Sequence, residues 1–382
     1  MAMHLGLRLK LCLIFIVAQL IHHSNGDVES RIDTLQSELL KLRDEVTDLT
    51  KIVEDLERTV KLNIASQKLD KAIGYLLLNK QEKASMYWTS VVQFAEPSHL
   101  NQYLKTLIES SYIGSSTNFY YVLDFLQRNQ LYMGYPILLQ ELENYHELHS
   151  GSEIFALAHQ IQRSCGSNNE LYNRIPKVVK DILNGPVILK NVDNMGYIMA
   201  AENWTDCTSR DTCFGSPRSQ VFVFRLRTEE MEEVQNERRA LWQFMAPENI
   251  TELSQGFYLK NKENDLNFVF KQRPTAAFLR NNLTFEPYYA KDMQSQFLPT
   301  LVPNASPEEN LLRIGIREKF FGRVEYFFSG EFGKVRKLDF SRRSIFQNDV
   351  KGYVWEVIPV REENENNAIE SGRLDERCNF TI

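Results

Sequence analysis

The segment His146-Glu147-Leu148-His149, with His159 further along, has the one spacing in this sequence that resembles a metal site. Residues three apart share a helix face, and two imidazoles so placed hold zinc when a third ligand joins them. A zinc protease needs three residues between its histidines, and here there are two. Solvated helix histidines are therefore the simpler reading, and no metal and no other cofactor is expected. The sequence has no serine in a G-x-S-x-G turn, no G-x-x-x-x-G-K-[ST] phosphate loop and no G-x-G-x-x-G opening a helix. Beyond residue 26 the histidines (His99, His146, His149, His159) all precede residue 185, so the C-terminal half has no histidine base. A carboxylate pair can do acid–base work, but 50 acidic residues make chance pairs unavoidable. The protein is read as a non-enzyme, with a hydrolase as the reading that a substrate screen would revive.

A second constellation is electrostatic. Lys334, Arg336, Lys337, Arg342 and Arg343 surround Leu338-Asp339-Phe340 in a chain of net charge −6. Strand alternation places Lys334 and Arg336 on one face and Lys337 on the other. Such a patch suits a sulfated glycan or an anionic head group. It equally suits an edge strand whose charges block aggregation. The acidic balance argues against nucleic acid as a partner.

The N-terminus predicts a cleaved leader over residues 1–26. Arg8 and Lys10 precede an apolar run from Leu11 to Ile21, and Ser24 and Gly26 put small residues before a cut at Asp27. No run is long enough for a transmembrane span, so a secreted, extracellular protein is expected. Cys12 leaves with the leader. Cys165, Cys207, Cys213 and Cys378 remain, and four cysteines allow three pairings. Cys207 and Cys213 are close enough to clip one loop, which leaves Cys165 for Cys378. Acceptor sequons for N-glycosylation stand at Asn203, Asn249, Asn282, Asn304 and Asn379, with Pro307 making Asn304 the poorest.

These features need elements to carry them. From Val28 to Val60 apolar residues step by four and three. Ile32, Leu39, Val46, Val53 and Val60 fill one heptad position, and Leu35, Leu42, Leu49 and Leu56 fill the other. β-Branched residues at the first and leucine at the second favour a parallel two-stranded coil, flanked by Glu38 and Arg43. Two outcomes follow from the pattern: a homodimer through residues 28–60, or a helix folded back on its own chain. Residues 64–184 read as four to six short helices. Apolar faces appear at Leu69, Ile73, Leu76 and Leu77, at Leu100, Leu104, Leu107 and Ile108, at Val122, Leu123 and Leu126, and at Ile154, Leu157 and Ile161. Pro97, Gly114 and Gly151 separate them. Tyr112, Phe119, Tyr120, Tyr121 and Phe125 are read as core.

After Gly185-Pro186 the period becomes two. Strands are expected at Val187–Val192, Tyr197–Ala201, Val221–Arg227, Leu241–Ala246, Phe257–Lys260, Leu266–Phe270, Leu312–Arg317, Glu325–Phe328, Val335–Phe340 and Gly352–Val360. Val187-Ile188-Leu189-Lys190-Asn191 resembles Phe257-Tyr258-Leu259-Lys260-Asn261, and Leu312 to Ile316 begins a third such unit. The first unit closes on Trp242 and the third on Trp355, while the middle unit has no tryptophan there. Three units of this kind predict a β-trefoil-like domain, with a sandwich or another barrel as alternatives. The fold class is α+β: a coiled-coil helix at 27–63, a helical domain at 64–184, the β domain at 185–361 and an acidic tail at 362–382.

With its leader, its helical part and the Trp242 and Phe257-to-Asn261 region, the layout is similar to the low-molecular-mass haemolymph lipoproteins of moths; the long coil departs from them. In size, leader, acidic balance and sequons the whole chain resembles the secreted salivary-gland proteins of mosquitoes that include TRIO and saglin. That resemblance implies a role in blood feeding and pathogen transmission, with no catalytic residues to carry over. The expected function is a secreted non-enzymatic binding protein, a salivary effector acting on a host or extracellular protein or glycan. The alternative is a haemolymph-type carrier or storage protein for a small apolar ligand.

Overall fold

The computed structural model describes residues 28–145, 151–167, 169–193, 195–201, 220–225, 238–262, 267–274, 283–290, 296–303, 305–306, 308–317, 324–329, 335–341, 351–360 and 378. The expected leader, and the expected acidic tail apart from Cys378, lie outside them. The architecture is α+β: helices first, then an antiparallel sheet system. The chain divides into two compact units, Met1–Ala65 and Ser66–Ile382.

Helix α1 spans Val28–Leu77, 50 residues without a break, so it passes the expected boundary at residue 63. It stops where Asn79 takes φ 53° and the Lys80 N–H donates to the Tyr75 carbonyl at 2.9 Å. Ile32, Leu39, Leu42, Val46, Leu49, Val53, Leu56 and Val60 are exposed, and Leu35 is half-buried. The face after residue 64 departs from expectation: Leu69 and Leu76 are buried and Ile73 is half-buried, but Leu77 is exposed and the small Ala65 and Ala72 are buried.

The following helices are α2 (Gln81–Phe94), α3 (Leu100–Tyr112), α4 (Ser116–Arg128), α5 (Gly134–Asn144), α6 (Ser152–Cys165), the one-turn α7 (Glu170–Asn173) and α8 (Lys177–Asn184). They exceed the expected four to six, and the one-turn α7 is too short to show an apolar period in sequence. Leu104, Leu107, Ile108, Ser111 and Tyr112 form the buried stripe of α3, a three–four spacing that puts one face inward. Helix α6 is buried nearly all round and packs against α4, α5, α8 and strand β8 (Phe297–Leu301). Although it carries polar residues, α6 is buried over most of its length, and it joins the helical layer to the sheet. At its start Gly151 takes φ 73°, and a Cβ there would stand 3.1 Å from the Leu301 backbone nitrogen. Tyr112, Phe119, Tyr120 and Phe125 are buried as expected, with Phe119 edge-on to both Tyr112 and Tyr120; Tyr121 is half-buried.

The other strands are β1 (Val187–Asn191), β2 (Gly196–Ala201), β3 (Gln220–Arg225), β4 (Trp242–Met245), β5 (Tyr258–Asn261), β6 (Asn267–Pro274), β7 (Leu283–Ala290), β9 (Leu311–Arg317), β10 (Val324–Ser329), β11 (Val335–Ser341) and β12 (Trp355–Pro359). A one-turn helix, α9 (Ile250–Leu253), interrupts them. Strands β7 and β8 were not expected. Each carries a proline, Pro287 and Pro299, which in sequence argues against a strand. In the structure Pro287 stands opposite Phe270 and Pro299 opposite Ile314.

Pairing runs β5–β4–β1–β12–β9–β8. The two ends of that run meet where Phe257 and Phe297 exchange both backbone hydrogen bonds at 2.7 Å. At this closure Gly256 takes φ 127°, and a Cβ there would run into the Phe297 carbonyl. Hairpins β2–β3, β6–β7 and β10–β11 follow β1, β5 and β9. The register repeats three times. Lys190 stands between Glu356 and Tyr197, Lys260 between Gln243 and Asn267, and Gly315 between Leu298 and Tyr326.

The next residue along repeats too. Asn191 faces Trp355, Asn261 faces Trp242 and Ile316 faces Phe297. Both asparagines are fully buried. Asn191 Nδ2 donates to the Gly352 carbonyl at 2.9 Å and more weakly to the Val354 carbonyl at 3.4 Å, and Asn261 Nδ2 donates to the Leu241 carbonyl at 3.2 Å. Val354 and Leu241 are each the residue before the tryptophan. A buried amide without a partner costs about 1–3 kcal/mol, so these bonds favour asparagine at both places. Phe297 occupies the place where the middle unit has no tryptophan.

Candidate binding surface

Among the described residues, those predicted from sequence do not converge on one site. His146 and His149 lie outside the described residues. His159 is half-buried on α6, its pKa lowered first by burial and then by the Arg163 charge one turn on. Among the described residues no group of three or more His, Cys, Asp or Glu is placed to hold a metal ion. Of the basic cluster, Lys334, Arg342 and Arg343 lie outside the described residues. Arg336 pairs through its backbone with Val223 and Lys337 with Phe222. Strand β11 lies between β3 and β10, so the edge-strand reading of this cluster is wrong. Cys165 and Cys378 form a disulfide with Cα atoms 5.6 Å apart; Cys207 and Cys213 lie outside the described residues. So do Asn203, Asn282, Asn304 and Asn379. Asn249 is exposed at the start of α9, with its carbonyl accepting from the Glu252 and Leu253 N–H groups at 3.1 Å.

A buried polar cluster lies where α6 meets the sheet. Glu153, in the first turn of α6, has no solvent exposure, and Ser152 Oγ donates to its Oε2 at 3.5 Å. Thr300 faces Arg313 across β8 and β9, and both are buried. The Tyr326 phenol is held above its usual pKa, first by burial and also by the Glu153 charge, while a Thr300 hydrogen bond and the Arg313 charge oppose the rise. On the helical side Tyr112 is raised by burial, then by Glu153 and Glu141. A carboxylate near a helix N-terminus is stabilised by the macrodipole. The cluster contains acid–base groups, but Glu153 is sealed from solvent.

A half-exposed cluster lies on α1 and α2. Tyr75 and Tyr87 stack, ring centroids 5.4 Å apart and 9° from parallel. Ammonium groups cover their outer faces: Lys68 and Lys71 stand 5.5 and 5.6 Å from the Tyr87 centroid, and Lys83 stands 5.4 Å from that of Tyr75. Lys68 and Lys71 share a helix face by their spacing of three. The rings attract the cations through their quadrupoles, at about 0.5–1 kcal/mol per exposed contact. Lys177 and Lys190 are tied to Asp181 and Glu356; among the described residues none of these three ammonium groups has an ion-pair partner. Residues 66–94 carry four lysines, Lys80 being the fourth, against Asp70 and Glu82. This is a positive patch on an acidic protein. Sequence reasoning missed it because Tyr75 and Tyr87 meet only when the turn at Asn79 folds α2 against α1.

No helix among the described residues is long and apolar enough to cross a membrane. No family model matches this chain, and no curated protein matches it. Among solved structures, the S. cerevisiae protein O-mannosyltransferase Pmt1-Pmt2 complex bound to the sugar donor is similar at 12% identity, over 78% of this chain and 45% of that one, with a TM-score of 0.32. This chain therefore spans less than half the length of that one, and a likeness so loose carries no functional argument.

Proposed function

We propose that this is a secreted, non-enzymatic binding protein that acts on an extracellular anionic glycan, delivered in saliva as the mosquito-family resemblance implies. The observation that carries the reading is the lysine-framed Tyr75–Tyr87 stack. With the ring faces occupied, what points outward is a set of ammonium donors, which suits sulfate or carboxylate groups better than a neutral sugar face. The β region is proposed to be a β-trefoil. The threefold register at Lys190, Lys260 and Gly315, and the hairpin after each of those strands, support that reading. The carrier alternative has less support, because Trp242, Trp355, Phe257 and Phe297 are themselves fully buried side chains of the β region.

The test is binding to heparin against unsulfated dextran at low and physiological salt. Replacing Lys68, Lys71 and Lys83 by glutamine should weaken heparin binding from about threefold to about a hundredfold, taking each exposed ion pair at about 0.2–1 kcal/mol. Added salt should weaken the native protein in the same direction. Undiminished binding in the triple variant, with loss in an R336Q/K337Q variant instead, moves the site to β11. No heparin binding by the native protein ends the glycan reading.

A further inference from the structure

Helix α1 presents an exposed apolar stripe along residues 32–60. The a positions Ile32, Leu39, Val46, Val53 and Val60, and the d positions Leu42, Leu49 and Leu56, are between 38% and 60% exposed. Isolated apolar side chains on a surface are ordinary, but a contiguous stripe at one heptad register marks an interaction surface. We infer that its occupant is a second copy of this chain, aligned parallel and in register as a two-stranded coiled coil.

Two features select that occupant. The first is side-chain shape. Four of the five a residues are β-branched and every d residue between Leu35 and Leu56 is leucine, the division of labour that parallel two-stranded coils use. The second is charge. In a parallel pair a g residue meets the e residue five positions on in its partner. Glu38 is at g and Arg43 at e, so each copy's glutamate meets the other's arginine, twice by symmetry. Antiparallel pairing sets g against g and e against e and loses both contacts. The stripe also ends as a dimer seam should: the next a and d positions are Asn63, Gln67 and Asp70.

A parallel coil brings residue 65 of both copies to the same end, so one assembly tethers two Ser66–Ile382 units. Two linked binding units engage a multivalent target with far higher avidity than one. The inference gives the proposed glycan reading a bivalent form but does not rest on it, since it is read by mass and not by binding.

The experiment uses the full chain from a secreting host at micromolar concentration. Sedimentation equilibrium should give about twice the mass of one chain. L42E/L49E, which places like charges at the seam, should sediment as one chain and keep the near-ultraviolet circular dichroism of the folded protein. V60C, near one end of the seam, should form an interchain disulfide under mild oxidation that the native sequence does not form, because only parallel in-register helices bring the two copies of residue 60 together. A native monomer overturns the inference. A dimer that survives L42E/L49E, or one in which V60C gives no additional crosslink, overturns it equally.

Discussion

Residues 28–60 and 65–76 belong to one helix, carry the same three–four apolar spacing, and meet opposite fates. Val60 is 55% exposed and Leu76 fully buried. The difference is one of register. In the first stretch the apolar residues hold the a and d positions. Continuing the same heptads, those positions become Asn63, Gln67, Asp70 and Gly74, while the buried Ala65, Leu69, Ala72 and Leu76 fall at f and c. At 3.6 residues per turn the f and c positions lie across the helix from a and d. Periodicity says that a helix has a face to bury. The position of that face in the heptad, and the residue types on it, say what buries it: β-branched residues and leucines for a second helix, alternating alanine and leucine for the core of this chain.

The largest effect should come from truncating the buried face. Leu76→Ala should lower stability by about 2–5 kcal/mol, the usual range for a buried leucine, in a transition independent of protein concentration. Leu49→Ala should leave that transition in place and weaken only the assembly, so its effect should grow on dilution. Calorimetry at two concentrations separates them. If Leu49→Ala destabilises a concentration-independent transition as much as Leu76→Ala does, the seam packs within one chain and the contrast is broken.

Much of this was legible before the fold. The stripes of α3, α4 and α6 follow from leucine and isoleucine spacing, and the Lys-Asn repeat marked two of the three register points in the sheet. What escaped had physical reasons. Ala65 and Ala72 are too small to register as a hydrophobic face. Pro287 and Pro299 hid β7 and β8. Gly315 and Ile316 stand where the first two units have Lys-Asn, so the third unit showed only its apolar part. The candidate surface was the least legible of all: Lys68 and Tyr87, or Lys83 and Tyr75, are unremarkable until α1 and α2 lie side by side. Glu153 read as one acid among many, because burial is a property of its neighbours and not of its type.

The end of the seam can be moved. Asn63 holds the next d position after Leu56 and is exposed. Asn63→Leu should add one apolar layer per helix to the coil, at about 1.5–3 kcal/mol for a leucine taken fully out of water. The dimer dissociation constant should fall by about tenfold or more, with the melting of the Ser66–Ile382 unit unchanged. An unchanged dissociation constant would place the true end of the coil before residue 63 and assign the stop to something other than this asparagine.

The smallest effect is the most diagnostic of where the two faces part. Gly74 lies inside α1, is exposed, and has no heavy atom within 4 Å of where a Cβ would stand. Its φ is not in the left-handed region, so alanine needs no change of backbone. Glycine in a helix interior is less favourable than alanine by about 0.5–1 kcal/mol, because more backbone freedom is lost on folding. Gly74→Ala should therefore raise stability by about that amount, seen as a rise of about 1–3 °C in melting temperature, and leave the dimer constant unaltered. Residue 74 is also an a position if the heptads are continued past Asp70. Were the coil to extend that far, this glycine would be where two helices approach most closely, and a methyl group there would push them apart. A variant that melts higher but dimerises less well would show that the seam does not end at Asn63, and that polar residues lie inside it.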